Sequence, residues 1–258
     1  MCRSQLLGLL FAVAASLPVS SAAHRPTLDQ NFDSAESAYA VEDPEVSIVV
    51  YKEVTCDSPE LWLSFEAKQG FPLYMQLGVP SIYRLSDYLP RLVLLHAGLP
   101  QLDEELPFTI PEGMGGLVMD PDGTNEPADF YEPFTGTESW IWVEQTLQLP
   151  TSGQGYLVAY DPRGWTGKLW VALGTVEDFS NVSPAMFGEW MREVNAFHET
   201  GIFEEPPLEQ EQVCDASLPE AAATTEPGCN LSAANGSRSP AVLLGLMILM
   251  RSRRRRRQ

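Results

Sequence analysis

Glu60-Leu61-Trp62-Leu63-Ser64-Phe65-Glu66-Ala67-Lys68-Gln69-Gly70 is the stretch on which the fold turns. Leu61, Leu63 and Phe65 point one way, and Trp62, Ser64 and Glu66 the other. That period of two is the signature of a β-strand. Gln69-Gly70 supplies a turn, and Leu73 to Val79 follows as the second strand of an expected hairpin.

The same pattern extends in both directions. Val46 to Thr55 is β-branched and aromatic. Arg91 to His96 and Gly115 to Met119 are short apolar runs. Ser139 to Leu149, Tyr156 to Tyr160 and Lys168 to Leu173 continue the series. Asp161-Pro162-Arg163-Gly164-Trp165-Thr166-Gly167 lies between the last two, and its Pro and Gly residues favour chain reversal. This makes about eight short strands separated by Gly, Pro, Asn and Asp. No strand–helix alternation recurs, which excludes a doubly wound α/β fold. The expected fold is mainly β: an antiparallel, jelly-roll-like two-sheet sandwich over residues 46–201, with an up-and-down barrel as the alternative. Gly98 to Pro111, rich in acids and prolines, reads as a surface loop.

One helix is expected, from Pro184 to His198. Ser183 can cap it, and Pro184 suits its first position. Met186, Trp190, Val194 and Phe197 share a face and should pack on the sandwich.

The two ends have a different character. Residues 1–23 have the parts of a secretory signal: Arg3, the uncharged apolar run Leu6 to Leu17, Pro18, and the small residues Ser20-Ser21-Ala22-Ala23. Cleavage is expected after Ala22 or Ala23. Residues 24–45 read as a disordered lead-in. Residues 202–228, rich in Pro, Glu, Ala and Thr, read as a disordered acidic linker.

Residues 229–258 begin at Cys229, pass through the apolar run Pro240 to Met250, and end in Arg251 and Arg253 to Arg257. An apolar run followed by arginines reads as a membrane stop with its charges left in the cytoplasm. As a helix that run would be roughly 17 Å long, short of the ~30 Å bilayer core. It suits a transient membrane segment. Both terminal hydrophobic helices are expected outside the domain.

The tail resembles the myxobacterial C-terminal sorting signal, a cysteine followed by a short hydrophobic helix and an arginine cluster. The resemblance implies removal of the tail by a membrane sorting protease and makes Cys229 the sorting and lipidation residue. Arg238 and a long spacer after Cys229 depart from the pattern.

The body resembles a family of exported bacterial and archaeal β-sandwich domains that brings no known activity. The matching pieces are Leu61-Trp62-Leu63-Ser64-Phe65-Glu66-Ala67 with Gly70, Gly98-Leu99-Pro100, Glu132-Pro133-Phe134-Thr135, and Gly153 through Phe179. Its paired glycine-bearing strands are also similar to pre-peptidase C-terminal-type sandwiches.

Charge excludes one class of partner. The formal net charge of −19 hides the acidity of the body. All 35 acids lie between Asp29 and Glu226, whereas half of the 16 basic residues sit in the two ends, so the body carries −27. Such a field repels phosphate backbones, and no nucleic acid is expected to bind.

Three cysteines remain after Cys2 leaves with the signal. Cys56 and Cys214 could form a disulfide, leaving Cys229 unpaired.

Chemistry is sparsely signalled. There is no Gly-x-Ser-x-Gly elbow, no HExxH and no phosphate-binding glycine loop. His24, His96 and His198 are scattered and read as structural, with His198 a cationic tip favoured by the helix dipole. Asp120, Asp122, Asn125 and Asp129 group hard oxygen ligands around Gly123, a candidate calcium loop, although the spacing is not that of an EF-hand and an Asx-rich turn explains it as well. No other cofactor is signalled. Trp140 and Trp142 share a face and are candidates for stacking on a ligand.

The expectation is therefore an exported, envelope-anchored, non-catalytic β-sandwich. Its partners would be the secretion machinery, a sorting protease and the membrane. A glycan-active hydrolase and a calcium-stabilised adhesion domain are the alternatives.

Overall fold

The computed structural model describes residues 24–28, 31–121, 126–201 and 213–214. The chain divides into two compact units, Met1–Ser217 and Leu218–Gln258, and every described residue belongs to the first. The leader, the C-terminal tail with Cys229, and the linker apart from Val213 and Cys214 lie outside the described residues. Among the described residues no helix is long and apolar enough to cross a membrane.

The domain is mainly β, with two packed sheets and one helix. Its strands are β1 (Arg25–Thr27), β2 (Tyr39–Val41), β3 (Ile48–Val54), β4 (Glu60–Ala67), β5 (Pro72–Pro80), β6 (Arg91–His96), β7 (Gly115–Met119), β8 (Ala128–Glu132), β9 (Thr137–Gln148), β10 (Gly153–Tyr160) and β11 (Gly167–Leu173). Helix α1 covers Pro184–Phe197. One sheet runs β1-β3-β11-β5-β9-β8 and the other β2-β4-β10-β6-β7.

The alternation in the opening stretch works as the side-chain pattern requires. Leu61, Leu63 and Phe65 enter the core between the sheets, where Val50, Leu77, Leu94, Leu157 and Val171 meet them. Trp62 turns outward into a separate cluster with Val93, Leu95, Tyr156 and Val158. Alternate residues of β11 divide likewise. Leu169, Val171 and Leu173 face the core, while Trp170 and Ala172 face the outer side of their sheet.

Several expectations are corrected. The sheets are not purely antiparallel, because β1 runs parallel to β3 and β2 parallel to β4. Residues 24–45 are thus no loose lead-in over their described length, since they supply an edge strand to each sheet. Strands β4 and β5 do not form a hairpin: β4 pairs with β10 and β5 with β9 and β11, in opposite sheets. The Gln69-Gly70 turn therefore carries the chain across the sandwich. The Asp161–Gly167 loop does the same between β10 and β11.

The stretch after Gly98 is more than a surface loop. Leu102, Leu106, Phe108 and Ile110 pack on the outer Trp62 cluster, with Phe108 edge-on to Trp62 at 5.0 Å and to Tyr160 at 5.5 Å. It covers a sheet face that would otherwise leave large apolar rings in water.

Helix α1 begins as its sequence requires, with the Ser183 side chain accepting from the Met186 N–H at 3.3 Å and Pro184 in the first turn. Its apolar face is only half used. Val194 and Phe197 are buried against the outer face of the β3/β11 sheet, while Met186 is 40% exposed. Trp190 instead joins a ring cluster with Phe187, which in turn touches Phe134 and Phe179. Glu199 ends the helix in the left-handed region, φ 56°, held by ion pairs to Lys168 at 2.7 Å and to Arg84.

A disulfide joins Cys56 to Cys214. The Cys214 N–H also donates to the Gly164 carbonyl at 2.9 Å, and Val213 bridges to Trp165. The chain is thereby pinned to the β10–β11 crossing after leaving α1.

Candidate functional site

Three buried polar residues, Thr137, Ser139 and His198, come together where the end of α1 meets β1, β3, β8, β9 and β11. A cavity of about 30 Å³ lies there, lined among others by His24, Tyr51, Glu132, Ser139, Trp170 and His198. That space suits a water molecule, which needs roughly 10–15 Å³, and is well below the ~150 Å³ that admits a ring the size of benzene.

Ser139 on β9 and His198 after α1 form its best-defined pair. Ser139 Oγ lies 3.1 Å from His198 Nε2, and His198 Nδ1 lies 2.8 Å from the Val194 carbonyl oxygen. A carbonyl can only accept, so Nδ1 carries the hydrogen and Nε2 is the acceptor. The Ser139 hydroxyl then donates to Nε2. The Trp170 indole N–H donates in turn to Ser139 Oγ at 3.1 Å.

This chain contains a hydroxyl, a base and an orienting group, the parts of a nucleophilic dyad. The surroundings differ from those of a working nucleophile. Ser139 is 4% exposed and His198 7%. The hydroxyl's hydrogen is committed to His198, and its oxygen already accepts from Trp170. The arrangement satisfies three polar groups that would otherwise be buried unpaired between sheet and helix.

Electrostatics follow from burial. His198 is pushed down from 6.5 to about 4, mainly because burial disfavours the imidazolium. The cationic helix tip expected from the sequence is corrected to a neutral, buried ring. His24 is also lowered to about 4 by burial, partly opposed by the nearby Glu177 carboxylate. Its Nδ1 lies 2.5 Å from Ser47 Oγ. Glu132 is raised above the usual carboxylate range by burial, against the Phe134 N–H that it accepts at 2.9 Å, and further by repulsion from Glu177. Burial and Glu132 together push the Tyr51 phenol upward.

The residues singled out in the sequence lie elsewhere. Asp120 sits at the end of β7 and pairs with Arg91, which also binds Glu104 at 2.9 Å. Asp129 is exposed on β8. Asp122 and Asn125 lie outside the described residues, as does Cys229. No group of three or more His, Cys, Asp or Glu among the described residues is placed to hold a metal. Trp140 and Trp142 are partly buried and pack against the core between the sheets. His96 is fully buried, its Nδ1 2.8 Å from the Ala97 carbonyl and its ring stacked on Phe65.

The Ser139–His198–Trp170 chain was not legible beforehand. Its members are separated by 59 and 31 residues, and no local spacing announces them. Ser139 falls in a strand pattern where a buried serine is an ordinary filler.

Comparison with known proteins finds no family that matches the chain and no curated protein that matches it.

Proposed function

We propose that this chain is an exported, envelope-anchored β-sandwich protein of jelly-roll-like topology with a binding or structural role rather than a catalytic one. The observation that carries the non-catalytic reading is the closure of the Ser139–His198 pair. Its hydrogen bonds are used internally, and the adjoining cavity accommodates about one water. The Cys56–Cys214 bridge supports export, because disulfides persist in oxidising compartments and are rare in the cytosol. The leader, the acidic linker and the Cys229–apolar–arginine tail support anchoring at the envelope. In this reading the tail is a sorting signal removed by a membrane protease, and Cys229 becomes the lipid-bearing end.

Fractionation of the native host and intact mass of the purified protein test the proposal together. Membrane-fraction protein lacking the leader, with a mass change at Cys229, is the expected result. Soluble cytoplasmic protein of full mass with free Cys56 and Cys214 would refute it. A glycan-hydrolysis screen that found turnover sensitive to substitution of a carboxylate pair would refute the non-catalytic part alone.

A further inference from the structure

We propose that the N-terminal half of α1, together with the β8–β9 turn, is a docking surface for a basic segment of another protein that carries aliphatic side chains at helical spacing. The inference rests on the binding reading and gives it a place and a kind of partner.

Helix α1 carries one apolar face and buries only the end of it. Val194 is 1% and Phe197 7% exposed against the sheet. One and two turns earlier the same face bears Trp190 and Phe187, both half-buried, flanked by Met186 and Met191, each 40% exposed. The β8–β9 turn is held beside this part of the helix, because the Asn195 side-chain N–H donates to the Thr135 carbonyl at 3.0 Å. That turn brings Phe134, 39% exposed, to 5.2 Å from Phe187. Phe179, from the connection before the helix, and Trp190 each lie 5.7 Å from the same ring. These contacts join the side chains into one continuous apolar surface, and a continuous patch marks an interaction site where scattered apolar residues do not.

Shape and charge select the occupant. The Phe134 and Trp190 rings stand at 62° and 80° to Phe187, and Phe179 is tilted by 39°. Rings set edge to face leave ridges and hollows, which fit aliphatic side chains and offer no shared flat platform to a sugar ring. The two flanking methionines are unbranched and adapt to the shape of what they meet. Glu189 and Glu193 follow Met186 and Trp190 by three residues each, the spacing of neighbours on a helix surface. Asp178 precedes Phe179, and Glu132 accepts the Phe134 N–H at 2.9 Å. Against these four carboxylates stand Arg192, the one basic residue of α1, 3.7 Å from Glu189, and Arg25, 3.0 Å from Asp178. The excess is negative. A second copy would bring the same acids on another body of charge −27, and an anionic lipid surface is repelled in the same way. A basic partner is attracted, with the rings supplying affinity and the carboxylates steering its approach.

The test titrates the full chain with a fluorescein-labelled helical peptide of leucine and lysine, its leucines on one face, and with the leucine–glutamate peptide of the same pattern. Fluorescence anisotropy reads the binding. Met186→Ser with Met191→Ser removes exposed apolar surface, Trp190→Ala removes a central ring, and Leu117→Ser, at a 38% exposed residue on β7 of the other sheet, is the control. The leucine–lysine peptide is expected to bind the parent and Leu117→Ser alike, several-fold more weakly to the double methionine variant and at least about tenfold more weakly to Trp190→Ala. Glu189→Lys should weaken binding and flatten its salt dependence between about 0.05 and 0.5 M. The leucine–glutamate peptide should not bind. Equal binding of the two peptides, no binding of either, or binding that the methionine and tryptophan changes leave untouched would overturn the proposal. So would a dimer in sedimentation, or adhesion to phosphatidylcholine vesicles, that the double methionine variant abolishes, since a second copy or lipid would then be the occupant. Each of these failures leaves the exported, non-catalytic reading standing, because fractionation and the glycan screen decide that separately.

Discussion

Removing the Ser139 hydroxyl puts the buried chain of hydrogen bonds to a quantitative test. Ser139→Ala leaves the Trp170 indole N–H without its acceptor and His198 Nε2 without its donor. Both residues are buried, at 4% and 7% exposure, so bulk water cannot replace the partner. An unsatisfied buried group costs about 1–3 kcal/mol, which places the pair at roughly 2–6 kcal/mol. The adjoining cavity of about 30 Å³, enlarged by the lost oxygen, can admit a water that recovers part of this. The expected net loss is about 2–4 kcal/mol. With a urea slope of about 2 kcal/mol per M, the unfolding midpoint should fall by roughly 1–2 M. Trp170→Phe removes the donor at the other end, so the double variant should lose less than the two single variants summed, by about 1 kcal/mol. The His198 ring stays buried in this variant, so its titration should remain well below 6.5 by NMR. A Ser139→Ala midpoint within about 0.2 M of the parent, equivalent to under ~0.5 kcal/mol, would refute the reasoning.

Acid should weaken the domain through its histidines. His24 and His198 bind a proton near 6.5 when unfolded but only near 4 when folded, so stability is full above 6.5 and falls as the pH drops toward 4. For His198 the loss is on the order of 3 kcal/mol, and His198→Gln should flatten the slope of a melting-temperature profile between those limits. Glu132 and Glu60, both raised by burial, act oppositely, and their contribution is lost as the pH rises above 4.5. Gly78 on β5 has the Trp170 indole lying where a Cβ would stand, so Gly78→Ala should cost about 1–3 kcal/mol and alter Trp170 fluorescence. Breaking the Cys56–Cys214 bridge with Cys214→Ser opens a closure spanning 158 residues and should cost about 2–4 kcal/mol, read as a lower melting temperature that reductant no longer changes.

Much of the strand content was legible because its physical cause is local. A period of two in β4 reports which side chains leave the chain on the same side, and that geometry needs no partner to be known. Strands β6 and β7 appear with the limits their apolar runs mark. Strands β1, β2 and β8 were missed because they are short edge strands whose residues carry no alternation. Arg25-Pro26-Thr27 is a strand only because β3 offers it a free edge. The assumed β4–β5 hairpin failed for a related reason. A Gly turn says that the chain changes direction but not which sheet receives it, and the apolar sides of both strands are better buried facing each other across the sandwich. The candidate cavity was illegible because its parts come from five strands and the helix end.

The sequence by itself determined a mainly β domain, one capped helix, the strong negative charge of the body and the distinct character of both ends. These follow from side-chain periodicity, capping chemistry and charge, all of which are properties of neighbouring residues. Only the tertiary structure decided that both outer sheet faces are covered, one by α1 and the other by the segment after Gly98. It alone brought Ser139, Trp170 and His198 into one hydrogen-bonded chain and set His24 against Ser47. Burial and hydrogen-bond satisfaction depend on which distant groups share a space, and neighbouring residues carry no record of that.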